Sequence, residues 1–168
     1  GPTTMVSNDA ALRIKAAHLG VGAAEHQPTK RVRSDRPMGW CVIDTTYEVI
    51  DCLYAAGGIA IDAVHTTDQA GDKVAAAVTE NEFAVLRSGS QSALVRAVNG
   101  EFVLLPQGAP EPWGLRPRNK EQRFALELLL DPEIEVIALD GRAGTGKTLL
   151  AIAAGLEQVV EQRRYERV

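Results

Sequence analysis

Hydrophobic and polar residues alternate along this chain in two periods, and the changes from one to the other mark out its elements. Residues 3 to 7 read as a short strand, and Leu12, Ala16 and Leu19 recur at helical spacing until Gly20 supplies a stop. The start is thus a strand, an acidic turn and a helix. From Ala23 to Pro37 the apolar pattern ceases, and Lys30, Arg31, Arg33 and Arg36 fall between Pro28 and Pro37, the composition of a linker. Trp40-Cys41-Val42-Ile43 alternates in part, Ile50, Leu53 and Tyr54 form a short helical stripe, and the apolar Ile59-Ala60-Ile61 follows Gly57-Gly58. Thr66 to Asp72 reads as a loop. Phe83 and Val85 begin a strand, and Ser92 to Val98, then Asn99-Gly100, then Glu101 to Leu105 form a hairpin signature. Asn-Gly accepts the positive backbone angles of a two-residue turn.

Pro106, Pro110, Pro112 and Pro117, with Gly108 and Gly114 among them, break the pattern again. Beyond them Asn119 can cap a helix carrying Phe124 and Leu128, which Asp131-Pro132 ends. Ile134 to Leu139 is apolar except for Glu135, the pattern of a strand covered on both faces. Leu149, Ile152, Ala153, Leu156 and Val160 then share one face of a further helix, an apolar side to lay on a sheet. The pattern predicts an α/β chain with a basic linker at 28–38, a small β-rich module at 39–105, a Pro/Gly linker at 106–117 and a new domain from 118 to 168.

Composition narrows the classes. A hydrophobic share of 45% and a charged share of 24% fit a globular chain and exclude collagen, coiled coil and disorder. No apolar run reaches the length of a membrane span, and the N-terminus lacks the form of a secretory signal, so a cytoplasmic protein without membrane partners is expected. Cys41 and Cys52 form no Cys-x-x-Cys pair and His18, His26 and His65 are scattered, so neither a zinc site nor a structural disulfide is expected. The net charge of −4 hides a gradient: residues 1–38 carry six basic and three acidic side chains, residues 39–105 three and nine, residues 106–168 nine and ten. The acidic middle is a poor ligand for a phosphate backbone, and any nucleic acid should prefer the ends.

The most specific chemistry follows the apolar run at 134–139. Gly141-Arg142-Ala143-Gly144-Thr145-Gly146-Lys147-Thr148 is a full G-x-x-x-x-G-K-T phosphate loop. A triphosphate needs several donors converging on closely spaced anionic oxygens, and a backbone with little side-chain bulk can curl its N–H groups around them. The helix that starts near Lys147 adds its unsatisfied N–H groups and the positive end of its dipole. Lys147 would contact the β and γ phosphates as the catalytic ammonium, and Thr148 would place its hydroxyl on Mg²⁺. ATP with Mg²⁺ is the expected ligand.

Two further residues each admit two readings. Gln122, upstream of the loop, can read the N6 and N7 edge of adenine through its amide. Asn119-x-x-Gln122 also has capping-box spacing, in which Gln122 reaches back to the N–H of Asn119. Asp9 can ligate Mg²⁺ or Mn²⁺ at a strand end beside Asn8, or it can cap the helix from Ala10 to Leu19. Taken alone, Asp9 is better explained as a cap, because residues 1–38 offer only Asp9, Glu25 and Asp35 to a metal.

Gly114-Leu115-Arg116-Pro117-Arg118-Asn119-Lys120-Glu121-Gln122, with Leu139-Asp140 and the loop itself, closely resembles the start of the ATPase domain in PhoH-like proteins. The resemblance implies a P-loop NTPase sheet and a Gln122 that recognises adenine. Val6-Ser7-Asn8-Asp9-Ala10-Ala11-Leu12-Arg13-Ile14-Lys15-Ala16 resembles the end of a PIN domain, a ribonuclease fold using Mg²⁺ or Mn²⁺. It implies that residues 1–27 are the tail of such a domain and that Asp9 is one of its metal-binding acids. Members that join PIN to PhoH are regarded as ATP-dependent RNA-unwinding and RNA-cleaving enzymes, with ring-like homo-oligomers plausible for the family. The remaining PIN carboxylates would lie before Gly1, and the acidic strand end and arginine finger of a working ATPase would lie after Val168. The expectation is therefore a central slice of a longer protein, an ATP binder that turns over little by itself. Rival expectations are an ATPase with a phosphate-linked regulatory task, and a 39–105 module that serves interaction or oligomerisation.

Overall fold

The structure, a computed structural model, describes residues 3–7, 9–25, 38–67 and 72–168. Asn8, most of the basic 28–38 segment and the centre of the 66–72 loop lie outside the described residues. The chain divides into two units, Gly1–Pro37 and Met38–Val168. It is a mixed α/β protein with parallel pairing in both units.

In the first unit, β1 (Thr4–Val6) and β2 (Gly22–Ala24) pair in parallel around the helix α1 (Ala10–His18). Parallel neighbours need such a crossover because their ends lie at opposite edges of the pair. Ala16 is buried in this unit, and the backbone N–H groups of Leu19, Gly20 and Val21 close the end of α1 on the carbonyls of residues 15 to 17. The expected strand and helix are both present. The second strand, β2, is only three residues, Gly22-Ala23-Ala24, and has no apolar alternation that would announce it.

The second unit is built on a five-stranded sheet in the order β3 (Trp40–Asp44), β7 (Phe83–Ser88), β8 (Gln91–Val98), β9 (Glu101–Leu104) and β4 (Gly58–Ala60). β5 (His65–Thr67) and β6 (Lys73–Ala75) form a small antiparallel pair outside it. β3 runs parallel to β7, and the remaining pairs of the large sheet are antiparallel. Asn99 and Gly100 turn β8 into β9 with φ of 52° and 81°, the left-handed pair that an Asn-Gly hairpin requires.

Side-chain alternation sends the two faces of this sheet to different partners. Ala84, Leu86, Ala93, Val95, Ala97 and Phe102 face the main core, where Leu53 of α2 (Tyr47–Ala56) and Val64 close over them. On the opposite face Phe83, Val85, Leu94 and Leu105 meet Phe124 of α3 (Lys120–Leu129). Phe124 stacks on Phe83 with ring centroids 4.4 Å apart and planes 9° apart. The reverse side of α3 buries Leu126 against Leu150 and Ala154 of α4 (Lys147–Leu156). α3 thus touches the sheet through one side and the phosphate-loop helix through the other. Among the described residues no helix is long and apolar enough to cross a membrane.

Two sequence expectations need correction here. Ile134–Leu139 runs without strand pairing, and Val136 is 87% exposed. A strand exists through its ladder, and among the described residues no strand pairs with this segment. The apolar stripe assigned to α4 is also rotated from the face that packs. Leu150, Ala153 and Ala154 are buried, while Leu149, Ile152 and Val160 are exposed. The helix is apolar nearly all round, so periodicity offered two faces, and contact with α3 selects the one through Leu150 and Ala154.

Candidate phosphate-binding site

The loop between the 134–139 segment and α4 has the backbone form its glycines allow. Gly144 and Gly146 sit at φ of 80° and 83°, in the left-handed region where a side chain is strained. Gly146 is the N-cap of α4 and makes no side-chain cap bond, so the first N–H groups of the helix are left to a ligand or to water. A dipole of ten helical residues adds partial positive charge at the same place.

Lys147 is half-buried and folds back over this loop. Its ammonium donates to the carbonyls of Gly141 and Arg142, both at 2.8 Å, and lies 3.3 Å from Thr145 Oγ1. Three donors are all an ammonium has. To engage a phosphate oxygen it must exchange at least one of these partners, a short movement for a long, flexible side chain. Thr145 donates its hydroxyl to the Arg142 carbonyl at 2.8 Å, and the Gly141 N–H donates to Asp140 Oδ1 at 2.8 Å. A Cβ on Gly141 would stand 3.4 Å from Thr145 Oγ1 and 3.8 Å from the Lys147 stem. Arg142, Ala143 and Thr148 are exposed around this ring, with the Thr148 position one residue into α4.

Gln122 is brought to the same loop. Its Oε1 accepts from the Arg118 N–H at 2.7 Å and its Nε2 donates to the Thr145 carbonyl at 3.3 Å. The capping expectation is half met. Asn119 Oδ1 accepts from the Gln122 N–H at 2.8 Å as an N-cap should, but the returning amide takes the N–H of Arg118 rather than that of Asn119. Reaching one residue further back leaves the amide nitrogen facing the phosphate loop. The spacing of Asn119 and Gln122 pointed to the cap, and nothing in the sequence pointed to the bond with Thr145.

Asp9 is in the other unit and forms the N-cap of α1. Oδ1 accepts from Ala11 N–H at 2.8 Å and Leu12 N–H at 3.1 Å. Among the described residues there is no group of three or more His, Cys, Asp or Glu placed to hold a metal ion.

Supporting contacts outside the loop carry no signature in the sequence. Gln158, buried in the π-helical turn that follows α4, donates to the Leu129 carbonyl at 3.0 Å and closes the end of α3. Arg123 of α3 donates to the carbonyls of Pro106 and Gly108, holding the Pro/Gly segment against the helix. A shallow cleft lined by Glu111, Trp113, Gly114, Glu157 and Glu161 lies at the C-terminal end of α4, the end away from the phosphate loop, and its acidic lining is unsuited to anions.

Residues 114–168 match the family of PhoH-like proteins. The chain is 36% identical to Protein PhoH2 of Thermobispora bispora over 98% of its own length and 35% of that relative's. It is 38% identical to Protein PhoH2 of Mycolicibacterium smegmatis over 98% of its length and 35% of the relative's. For Protein PhoH2 of Bacillus subtilis the figures are 33%, 99% and 37%. The chain therefore spans about a third of the length of these curated relatives. No solved structure matches it significantly.

Proposed function

We propose, on the premise that residues 114–168 are PhoH-like, that this segment binds ATP and that Gly141–Thr148 is its triphosphate cradle. The observation that carries the reading is Lys147. Its ammonium lies across a loop whose glycines adopt left-handed angles at the start of a helix, where backbone N–H groups and dipole favour a polyanion. Thr148, exposed in the first turn of α4, would supply a hydroxyl ligand to Mg²⁺, which when bound would neutralise charge on the β and γ phosphates. Lys147 would hold the same oxygens as charge moves toward them in phosphoryl transfer.

For the whole protein we read a cytoplasmic ATPase that couples hydrolysis to RNA unwinding, with the first unit as part of a PIN-type RNA-cleaving domain. The RNA part rests on the joined PIN-like and PhoH-like motifs at the two ends of the chain. In the first unit the geometry supports Asp9 as a helix cap, and its role toward Mg²⁺ or Mn²⁺ rests on the Val6–Ala16 motif alone.

Calorimetric titration of the chain with ATP and Mg²⁺ tests the first claim. Saturable, weak binding is expected, and Lys147→Ala should weaken it at least about tenfold, the worth of one charge-assisted contact. Superimposable isotherms for the two proteins would overturn the assignment.

A further inference from the structure

We infer that Gln122 is a positioning residue for the phosphate loop, so that affinity for the triphosphate depends on this amide whatever base is attached. The inference rests on the phosphate-loop reading above and adds a determinant to it.

Gln122 bridges two backbone segments. One end of its amide is fixed by the Arg118 N–H at 2.7 Å, at the entry to α3, and the other holds the Thr145 carbonyl at 3.3 Å, 23 residues later in the chain. The contact is close: a Cβ on Gly146 would stand 3.3 Å from Gln122 Nε2. Thr145 passes the restraint inward, because its hydroxyl holds the Arg142 carbonyl and receives the Lys147 ammonium. The curl from Arg142 to Thr145 is therefore pinned from inside by Lys147 and from outside by Gln122. When Lys147 turns from loop carbonyls to a phosphate oxygen, the inner pin loosens and the bond from Gln122 to Thr145 remains to keep the peptide groups aimed. Holding donors in place before the ligand arrives lowers the cost of ordering them on binding.

The same amide has capacity left for a base. A glutamine side chain carries two acceptor lone pairs and two N–H donors, and among the described residues each end of Gln122 has one of its two bonds made. Base reading and loop positioning are thus separable only by a ligand that has no base.

Inorganic tripolyphosphate is that ligand. Titrating tripolyphosphate, GTP and ATP, each with Mg²⁺, into the wild-type chain, Gln122→Met and Asn119→Ala separates the roles. Methionine keeps the length of the side chain and removes both hydrogen-bonding ends. Gln122→Met should lose about fivefold in affinity for tripolyphosphate and GTP as well as for ATP, the scale of one neutral hydrogen bond. Asn119→Ala removes the α3 cap, so it should lower the melting temperature while leaving tripolyphosphate affinity within about twofold of wild type. Gln122→Met with wild-type affinity for tripolyphosphate and GTP would overturn the inference, whether or not ATP binding falls. Equal loss of tripolyphosphate in Asn119→Ala would overturn it too, since the effect would then belong to the stability of α3. A wild-type chain that binds none of the three ligands would instead remove the phosphate-loop reading itself.

Discussion

Asp131 shows how a single side chain joins the sheet to the layer of helices behind it. Its carboxylate receives Arg96 of β8 at 2.7 Å, with both side chains mostly buried, and Arg96 also holds Asn81. Burial alone would raise the Asp131 pKa, but the Glu133 N–H, the Arg96 hydrogen bond and the Arg96 and Arg164 charges outweigh it and hold the group below the usual carboxylate range. A folded-state pKa below the unfolded one gives stability that is fully present above the unfolded value and is lost as pH falls through the folded value. Asp131→Asn should therefore cost about 2 kcal/mol at neutral pH. In urea melts the gap from wild type should narrow below about pH 4, and a gap independent of pH would contradict this. Glu127 carries the opposite sign. Burial raises its pKa against the opposing charge of Arg123, so its contribution is fully present below the unfolded value and lost as pH rises through the folded one. Glu127→Gln should gain on wild type as pH rises from 4 toward 7, roughly the range above the free glutamate value, in the same melts.

Among the elements, the β8–β9 hairpin and α3 were legible for physical reasons that local sequence contains. Asn99 and Gly100 supply two left-handed residues where a two-residue turn needs them, and Asn119 supplies a cap oxygen at the start of α3. Gly100→Val should cost about 1–2 kcal/mol through backbone strain, since open space surrounds a Cβ built there. A thermal melt unchanged by that substitution would show that the turn tolerates a right-handed geometry. What the sequence could not supply are pairings decided at a distance. Ile134–Leu139 has strand composition but no ladder, β2 has a ladder but no strand composition, and the packing side of α4 is set by Leu126 of another helix. The left-handed backbone at Gly144 and Gly146 was legible because the motif states its own backbone requirement. The link from Gln122 to Thr145 was not, because it joins positions whose spacing follows no local rule.

Across the whole molecule, α3 is the member through which the sheet and the phosphate loop share stability. Phe124 packs on Phe83 from one side, and Leu126 packs on Leu150 from the other. Phe124→Ala should cost about 3–4 kcal/mol. It should also raise hydrogen exchange in peptides covering 147–156, although Phe124 is absent from the cluster that contacts α4. Exchange that rises only in the sheet would mean the two layers open independently. The chain spans about a third of the length of its PhoH2 relatives. The most direct measurement is an amide-resolved NMR titration of the chain with inorganic tripolyphosphate and Mg²⁺. The largest shifts should fall on the amides of Gly144, Gly146, Lys147 and Thr148, the donors at the mouth of α4. Shifts confined to other residues, or none at saturating ligand, would contradict the cradle.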